Sequence, residues 1–490
     1  MNQKLIFIYL GLLSTELLIA QNQITELSLK QVIEMARMES PDAQTARHSF
    51  RSAYWNNKYY RANYLPSLSL TSDPNLNRAI NKITMGDGSV KFVEQNLLNT
   101  DLTLNLSQNL SWTGGSFFLE TSAQRMDLFS EHKYSWQTSP IMIGYRQSLF
   151  GYNSLKWDRR IEPVRYQEAK KSYVETLELV SANAINKFFA LATAQSDYDI
   201  ASFNYANANT LYRYAQGRYN IGTITENEML QLELNRLTEE TNRMNALIEM
   251  DNCMQELRSY LGIHEDRELR VLVSPQIPDF SVNLNEALAL AYENSPDIQT
   301  MERRKLESES AVAKARANAG LKADIYLRFG LTQTADKLPE AYRNLLDQQY
   351  VSIGISLPIL DWGRGKGQVR VARSNRDLVY TQVEQSRTDF ELNVRKLVKQ
   401  FNLQTQRVRI AARTDETAQR RSEVARKLYL LGKSTILDLN ASISEKDSAR
   451  RNYISALYNY WSLYYTLRSM TLYDFERNTM LTEDYHLLIE

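Results

Sequence analysis

The sequence predicts a mainly α-helical chain, built by tandem duplication, in which very long coiled-coil helices alternate with a smaller set of β-strands of the membrane-barrel type. Three observations lead to this prediction. A segment near the start of the 490-residue chain recurs 255 residues later, four long stretches contain no Gly or Pro, and two regions alternate apolar with polar residues. Helices of that length exceed what a single globular core requires.

The duplication is visible in residues 28–45 and 283–300, which share seven of eighteen positions, including Ser-Pro-Asp. Further along the chain, Leu-Arg-Ser at 257–259 recurs at 467–469, where the offset has fallen to 210 residues. The first copy is therefore 45 residues longer than the second, and the additional residues lie between about residues 64 and 144. Internal repetition of this kind predicts two structural units of the same design.

The first twenty residues are predicted to be a secretory signal peptide, because Lys4 precedes an apolar run, Leu5–Leu13, and Ala20 offers a small residue at the cleavage point. The signal predicts export from the cytoplasm. The predicted domains are a signal peptide at 1–20, a first structural repeat at 21–265 with an enlarged strand region at about 64–150, and a second structural repeat at 276–490 with a strand region at about 321–360.

The stretches without Gly or Pro carry apolar residues at a heptad-like rhythm, which is typical of a coiled-coil seam. The Gly- and Pro-free stretches are 164–216, 223–261, 368–431 and 433–490. Two of the predicted seams are Leu230, Leu234, Leu237, Thr241, Met244 and Ile248, and Phe390, Val394, Leu397, Phe401 and Val408. A helix over residues 368–431 would be about 96 Å long at about 1.5 Å per residue.

Each copy is predicted to fold back as a helical hairpin, because a Tyr-x-x-Gly pattern separates its two long helical segments. Gly222 and Gly432 stand where a left-handed helix stop is expected, and each is followed three residues later by a Thr that can cap the next helix. The capping residues are Thr225 and Thr435. Both hairpin tips are therefore predicted from local sequence alone.

The strand regions show alternation with period two. Leu102, Leu104 and Leu106 alternate with polar residues, Thr113–Gly115 interrupts the pattern, and it resumes over 117–123 as a hairpin. In the second copy, strands are expected at 323–331 and 350–359. No apolar run after the signal reaches the roughly 18 residues of a membrane helix, so an exported chain of this kind can cross a membrane only as strands.

Such strands cannot close a barrel within one chain. We expect about four to six strands per chain, whereas bacterial membrane barrels begin at about eight. An open edge in lipid leaves backbone groups unsatisfied, at a cost of several kcal/mol each, so a membrane-inserted chain has to oligomerise. Three copies would supply about twelve to eighteen strands. A trimer sharing one barrel satisfies this requirement.

Three motifs, in their order, resemble the outer-membrane efflux protein family of the TolC type, and the resemblance covers essentially the whole mature chain. The motifs are Asn-Ser-Pro-Asp at 294–297, the segment 357–364 (LPILDWGR) and the segment 429–439 (YLLGKSTILDL). The resemblance implies a homotrimer with a β-barrel in outer-membrane lipid and an α-helical tunnel (α-barrel) through the periplasm. It also implies a periplasmic adaptor protein and an inner-membrane pump as partners.

The resemblance further implies that acidic residues just after each tip glycine ring the periplasmic entrance. Glu226, Glu228 and Asp438 hold these positions, whereas Ala441 stands where this family can carry a second acidic residue. Three copies would form rings of negative charge that favour cations. The alternative is that these carboxylates only stabilise the first helical turn through the helix dipole. The tips around Gly222, Thr225, Gly432 and Thr435 are the expected site of adaptor docking.

The predicted function is that of an outer-membrane exit channel for small molecules, with a duct for type I protein secretion as the alternative. A surface or periplasmic trimeric coiled-coil stalk is the alternative of another class. No enzyme, cofactor or metal site is expected, because the four histidines are scattered and Gly363–Gly367 lacks the spacing of a phosphate loop. A net charge of +1 with dispersed basic residues argues against nucleic-acid binding.

Overall fold

The computed structural model describes residues 25–129, 131–265, 268–431 and 433–489, so the predicted signal peptide at 1–20 lies outside the described residues. The helices are α1 Leu29–Glu39, α2 Pro41–Ala62, α3 Ser154–Asn220, α4 Glu226–Leu261, α5 Leu284–Asn294, α6 Pro296–Ala319, α7 Arg364–Leu430 and α8 Ile436–Thr471. The strands are β1 Thr25–Ser28, β2 Ser67–Ser72, β3 Asn75–Thr84, β4 Val90–Asn109, β5 Ser116–Leu128, β6 Lys133–Leu149, β7 Leu269–Leu272, β8 Lys322–Ala335, β9 Leu346–Ser356, β10 Tyr473–Asp474 and β11 Thr479–Met480.

The two halves of the chain contain the same order of elements: a short helix, a second helix, strands, and two long helices. The break between the first two helices falls at Ser40 in one half and at Ser295 in the other, each with an extended backbone. The proline that follows disfavours helical geometry at the residue before it and begins the next helix itself. Both breaks are therefore set by the local Ser-Pro sequence.

The chain divides into two compact units, which are described separately. The first comprises the residues up to Arg51, Ala169–Ile298, and those from Thr388 onward, and the second comprises Ser52–Glu168 and Gln299–Arg387. Among the described residues, no helix is both long enough and apolar enough to cross a lipid bilayer.

In the first unit, helices α7 and α8 pack along the predicted seam of α7. Phe390, Val394, Leu397, Phe401 and Val408 are all buried. The ring of Phe401 contacts two tyrosine rings of α8, with centroids 5.3 Å from Tyr460 and 5.7 Å from Tyr464. Burial of such aromatic and aliphatic side chains is the main stabilising contribution to a pair of long helices.

The predicted seam of α4 has a different environment from that of α7. Leu230, Leu234, Leu237, Met244 and Ile248 are exposed, each at 46% or more of its full accessible surface. A heptad pattern identifies an apolar stripe but does not say which helix covers it. The described residues of one chain leave this stripe of α4 uncovered.

The end of the chain differs from the prediction of a helix continuing through the Gly- and Pro-free stretch 433–490. Helix α8 ends at Thr471, where Leu472 adopts a left-handed conformation with φ of 48°. The chain then turns back through the short antiparallel pair β10–β11. Leucine rarely adopts this backbone conformation, so a leucine at position 472 does not predict the end of the helix.

Residues 472–489, termed the C-terminal strap, bind back onto the start of the chain. The Arg51 side chain donates from Nε to the carbonyl of Leu488 at 2.5 Å, and the rings of Phe50 and Tyr485 lie 5.2 Å apart. Within the same unit, Asn294 donates to the carbonyl of Thr471. The strap therefore joins the first and last described segments of the chain.

A buried cluster of charges lies beneath this strap. Glu178 is fully buried and accepts from Arg37 Nη1 at 2.6 Å and from Arg468 Nε at 2.7 Å. Arg468 also pairs with Asp474 at 3.0 Å, and Arg37 pairs with Glu483 at 2.7 Å. Burial lowers the pKa of Arg468, but the interactions with Glu178, Tyr465 and Asp474 together outweigh it and hold that pKa above its ordinary value.

The second unit contains a seven-stranded sheet in the order β2–β4–β5–β6–β8–β9, with β3 also paired to β4. All its pairings are antiparallel. Strand β2 covers one end of the twenty-residue β4 and β3 covers the other, so the two occupy successive positions along one edge. Beyond the end of β5, the β3–β4 pair continues as a two-stranded ribbon, which falls within the longer strand region of the first half.

One face of this sheet is an exposed apolar surface. Leu68, Leu106, Leu119, Ile143 and Phe329 stand directly opposite one another across five strands. All five are exposed. Residues opposite one another in a sheet share a face, so the apolar row runs across the sheet.

The opposite face of the sheet is mainly polar, apart from Phe118 and Met142, which are buried. Arg328 of β8 pairs with Glu120 of β5 at 2.9 Å, and the hydroxyls of Ser67 and Ser107 lie 2.8 Å apart. Among the described strands, β9 and the β2/β3 edge are each paired on one side only. The sheet of one chain is therefore open at both edges, with one apolar and one polar face.

Candidate functional site: the helical hairpin tips

The first tip connects α3 to α4 through residues 221–225. Gly222 has φ of 74°, and its N–H donates to the carbonyl of Tyr219 at 2.8 Å, while the N–H of Thr223 donates to that of Arg218 at 2.9 Å. These bonds satisfy the last carbonyls of α3, which is the usual function of a left-handed residue at a helix end. A side chain at Gly222 would meet open space, so only its backbone conformation requires glycine.

Thr225 begins α4 through a reciprocal capping box. Its hydroxyl accepts from the N–H of Glu228 at 3.2 Å, and the Glu228 carboxylate accepts from the N–H of Thr225 at 2.9 Å. Glu226 lies in the same first turn. The predicted tip residues Gly222, Thr225, Glu226 and Glu228 are thus brought together in one turn.

The second tip connects α7 to α8 in the same manner. Gly432 lies outside the described residues, but the N–H of Lys433 donates to the carbonyl of Leu428 at 2.9 Å, as the equivalent residue does in the first tip. Thr435 caps α8, and its hydroxyl donates to the carboxylate of Asp438 at 2.7 Å. The two tips therefore share one local design.

The carboxylate of Asp438 is exposed to solvent and held by local hydrogen bonds. The Thr435 hydroxyl, followed by the Thr435 backbone N–H and the Ser434 hydroxyl, lowers the pKa of Asp438 below its ordinary value. Asp438 is therefore ionised throughout the neutral range. Its hydrogen bonds with Thr435 form the capping box at the start of α8, and its negative charge faces solvent.

The glycine-rich loop after β9 is a capped helix start. Asp361 accepts from the N–H of Gly363 at 2.9 Å and from that of Gly365 at 2.8 Å. The amides that a phosphate loop would present to a ligand are thus bonded to a carboxylate of the same loop. Just before this loop, Ile359, Leu360 and Trp362 are exposed, so an apolar group lies at the end of the sheet where α7 begins.

Comparisons with known proteins agree with this architecture. The crystal structure of the CmeC outer membrane channel from Campylobacter jejuni aligns with a TM-score of 0.67 at 15% identity, covering 94% of this chain and 88% of that one. The outer membrane protein VceC from Vibrio cholerae aligns with a TM-score of 0.63 at 15% identity, covering 90% of this chain and 95% of that one. No curated protein matches the chain.

The chain therefore shares the fold of these two outer-membrane proteins, and the predicted fold class is confirmed. Residues 287–471 match the model of the outer membrane efflux protein family. Over this part of the chain the sequence is similar to that family, and the fold is similar to that of the two outer-membrane proteins named above.

Proposed function

We propose that the chain is the exit channel of a tripartite efflux system and carries small toxic solutes from the periplasm to the exterior. It would act as a homotrimer in outer-membrane lipid, with its long helices in the periplasm. The observation that carries the proposal is the sheet of the second unit, with one exposed apolar face, one polar face and two open edges. Such a sheet suits lipid on one side and a water-filled path on the other.

The proposed trimer is supported by the two sheet edges and the apolar helix stripe that one chain leaves without a partner. Strand β9 and the β2/β3 edge need partners before the sheet can enter lipid, and further copies of the chain can supply them. The exposed stripe of α4 likewise has the spacing to pack against a second helix. A path of this kind performs no chemistry; it replaces a lipid barrier with water.

Planar-bilayer recording of the purified, detergent-extracted protein tests the proposed function. We expect discrete conductance steps, together with a heat-labile band of trimer size on gels. A water-soluble protein without channels would contradict the membrane assignment and favour the coiled-coil stalk.

We further propose that Asp438, Glu228 and Glu226 ring the periplasmic entrance of the trimer. Asp438→Asn keeps an oxygen that can accept from Thr435 but removes the charge, so the cation preference of single channels is expected to fall several-fold. Glu416→Gln, which neutralises an exposed carboxylate on α7, is the matched control and should leave selectivity unchanged. If the cation selectivity of Asp438→Asn channels were unchanged, the proposed ring of negative charge at the entrance would be excluded. The capping of α8 would not be affected by that result.

The same tips, at Gly222, Thr225, Gly432 and Thr435, are the proposed docking surface for a periplasmic adaptor. The test is a Gly222→Val, Gly432→Val double variant. Position 222 requires a positive φ, and a β-branched residue there costs about 1–3 kcal/mol and distorts the turn. Adaptor capture by the purified channel is expected to be lost while conductance persists. Full capture by the double variant would locate docking elsewhere. Gly217→Val, a nearby glycine without a positive φ, is the control.

A further inference from the structure

The end of the sheet that adjoins α2, α3, α6 and α7 carries exposed apolar side chains that the proposed function leaves unassigned. At this end Asn109 of β4 pairs with Ser116 of β5, and Lys322 of β8 pairs with Ser356 of β9. The turns and loops leaving this end expose large apolar side chains, here termed the apolar rim: Leu65, Trp112, Phe150, Ile359, Leu360 and Trp362. All of them belong to the second unit.

The apolar rim continues the apolar face of the sheet. By the register of β8 with β9, Ile355 shares a face with Phe329, and both are exposed. Leu357 follows directly after β9 and is exposed as well, while Ile359 and Trp362 are 94% and 89% exposed. Apolar side chains that are exposed as one contiguous group mark a contact surface. The rim therefore extends the surface that the proposed function places against lipid.

The helix ends next to the apolar rim are strongly basic. The chain as a whole has a net charge of +1. Thirteen Lys and Arg, but four Asp and Glu, lie in the segments 52–66, 150–165, 311–324 and 357–373. Two of these cations, Arg160 and Arg165, pair with glutamates of α6. The excess of positive charge is therefore a property of this end of the sheet and not of the composition.

Some of these cations are exposed and lack an anionic partner. Arg316 and Arg364 are exposed, and neither forms an ion pair within the described part of the chain. Arg364 follows Trp362 by two residues, so their Cα atoms lie within about 7 Å of each other. The helix end that carries Arg316 is also close, because a Cβ built on Gly365 would lie 3.0 Å from that of Ala319. Unpaired guanidinium groups thus lie beside the apolar rim.

The charge at this end of the sheet selects the partner that can cover the apolar rim. A second copy of the chain would bring the same excess of positive charge, and like charges repel. Phosphate oxygens accept two parallel hydrogen bonds from a guanidinium group, and an anionic lipid surface attracts each Lys or Arg near it. A phospholipid joins acyl chains directly to a phosphate, which matches an apolar group followed at once by cations.

We infer that this end of the sheet binds anionic phospholipid, with the apolar rim among the acyl chains and Arg316 and Arg364 at the phosphates. The inference rests on the proposed insertion of the sheet into the outer membrane. It goes further by naming the lipid that lies against the protein, in the leaflet that faces the periplasm.

Quenching of tryptophan fluorescence by brominated lipid tests this inference on the full chain reconstituted in vesicles. The vesicles contain phosphatidylcholine with a minor fraction of phosphatidylglycerol, and bromine is carried either by the phosphatidylglycerol or by an equal amount of the phosphatidylcholine. The signal of Trp362 is the difference between the unaltered chain and Trp362→Phe. We expect phosphatidylglycerol to quench it about fivefold more strongly, which is the effect of one cation near an anionic surface. High salt should remove this preference by screening the charges.

A pair of arginine substitutions assigns the preference to the cations beside the rim. The double variant Arg316→Gln, Arg364→Gln should abolish the preference for phosphatidylglycerol and leave quenching by brominated phosphatidylcholine in place. The matched control is Arg407→Gln, Arg413→Gln, which removes two exposed arginines of α7 in the first unit and should keep the preference.

Conductance of the same preparations separates failure of this inference from failure of the proposed function. Equal quenching by the two lipids in conducting channels would overturn the inference. Conducting channels in which neither lipid quenches Trp362 would overturn it too, because a second copy of the chain would then cover the rim. Loss of conductance in the unaltered chain would remove the proposed function and this inference with it. The salt dependence of the unaltered chain decides the matter if the arginine variant does not fold.

Discussion

Gly330→Val is expected to abolish assembly of the sheet and, with it, of the proposed channel. Gly330 on β8 stands opposite Met142 on β6, next to the irregularity in pairing between Thr138 and Ile141. A Cβ at this position would clash with the backbone carbonyl oxygen of Ile141 and lie 2.9 Å from the Cα of Met142. Backbone atoms of a paired strand cannot move aside, so we expect a loss on the order of 3 kcal/mol and little trimer.

The matched control is Gly354→Val, in the same sheet. A Cβ at Gly354 would meet only the carbonyl oxygen of Asp324, at 4.0 Å, which is ordinary contact. Valine favours strands, so this variant should be neutral or slightly stabilising. The measurement is the yield of heat-labile trimer from membranes, with circular dichroism of the purified protein. A normal yield of trimer from Gly330→Val would show that β6 and β8 are not paired as described.

Glu178→Ala is expected to lower the stability of the first unit by about 3 kcal/mol. The substitution leaves Arg37 and Arg468 half-buried beside each other without the buried carboxylate that both contact, and removing one partner of a buried ion pair costs about 3–5 kcal/mol. We expect the lower end, because Asp474 and Glu483 still pair with the two arginines. The measurement is denaturant unfolding of the purified protein in detergent.

Two further variants separate the charge from the volume of Glu178. Glu178→Gln keeps the shape and removes the charge, so a loss close to that of Glu178→Ala would assign the effect to the charge. Glu416→Ala removes an exposed pair with Arg420 and should change stability by less than about 0.5 kcal/mol. If Glu178→Ala were as stable as Glu416→Ala, the buried cluster would make no net contribution.

Elements governed by neighbouring residues could be read from the sequence. The Ser-Pro breaks at Ser40 and Ser295, and the capping threonines Thr225 and Thr435, act within a few residues of themselves. The alternation around Leu102–Leu106 likewise predicted strands, and the structure pairs β4 with β5 there. Local backbone preference and side-chain capping are sufficient for such predictions.

Features that depend on distant residues could not be predicted in this way. The heptad rhythm is equally clear in α4 and α7, yet Leu234 is exposed and Val394 is buried, because burial depends on which helix lies opposite. The contact of Glu178 with Arg37 spans 141 residues, and no spacing in the sequence reveals it.

The C-terminal strap determines when the first unit can reach its native state during synthesis. A chain made from its N-terminus exposes Arg37 and Phe50 early, yet Glu483, which Arg37 contacts, is translated 446 residues after it. The second unit has all its residues before position 388, whereas the first unit has to wait for the C-terminal strap. Completion of the first unit is thus coupled to synthesis of the strap, and a chain ended prematurely at Thr471 would lack these contacts.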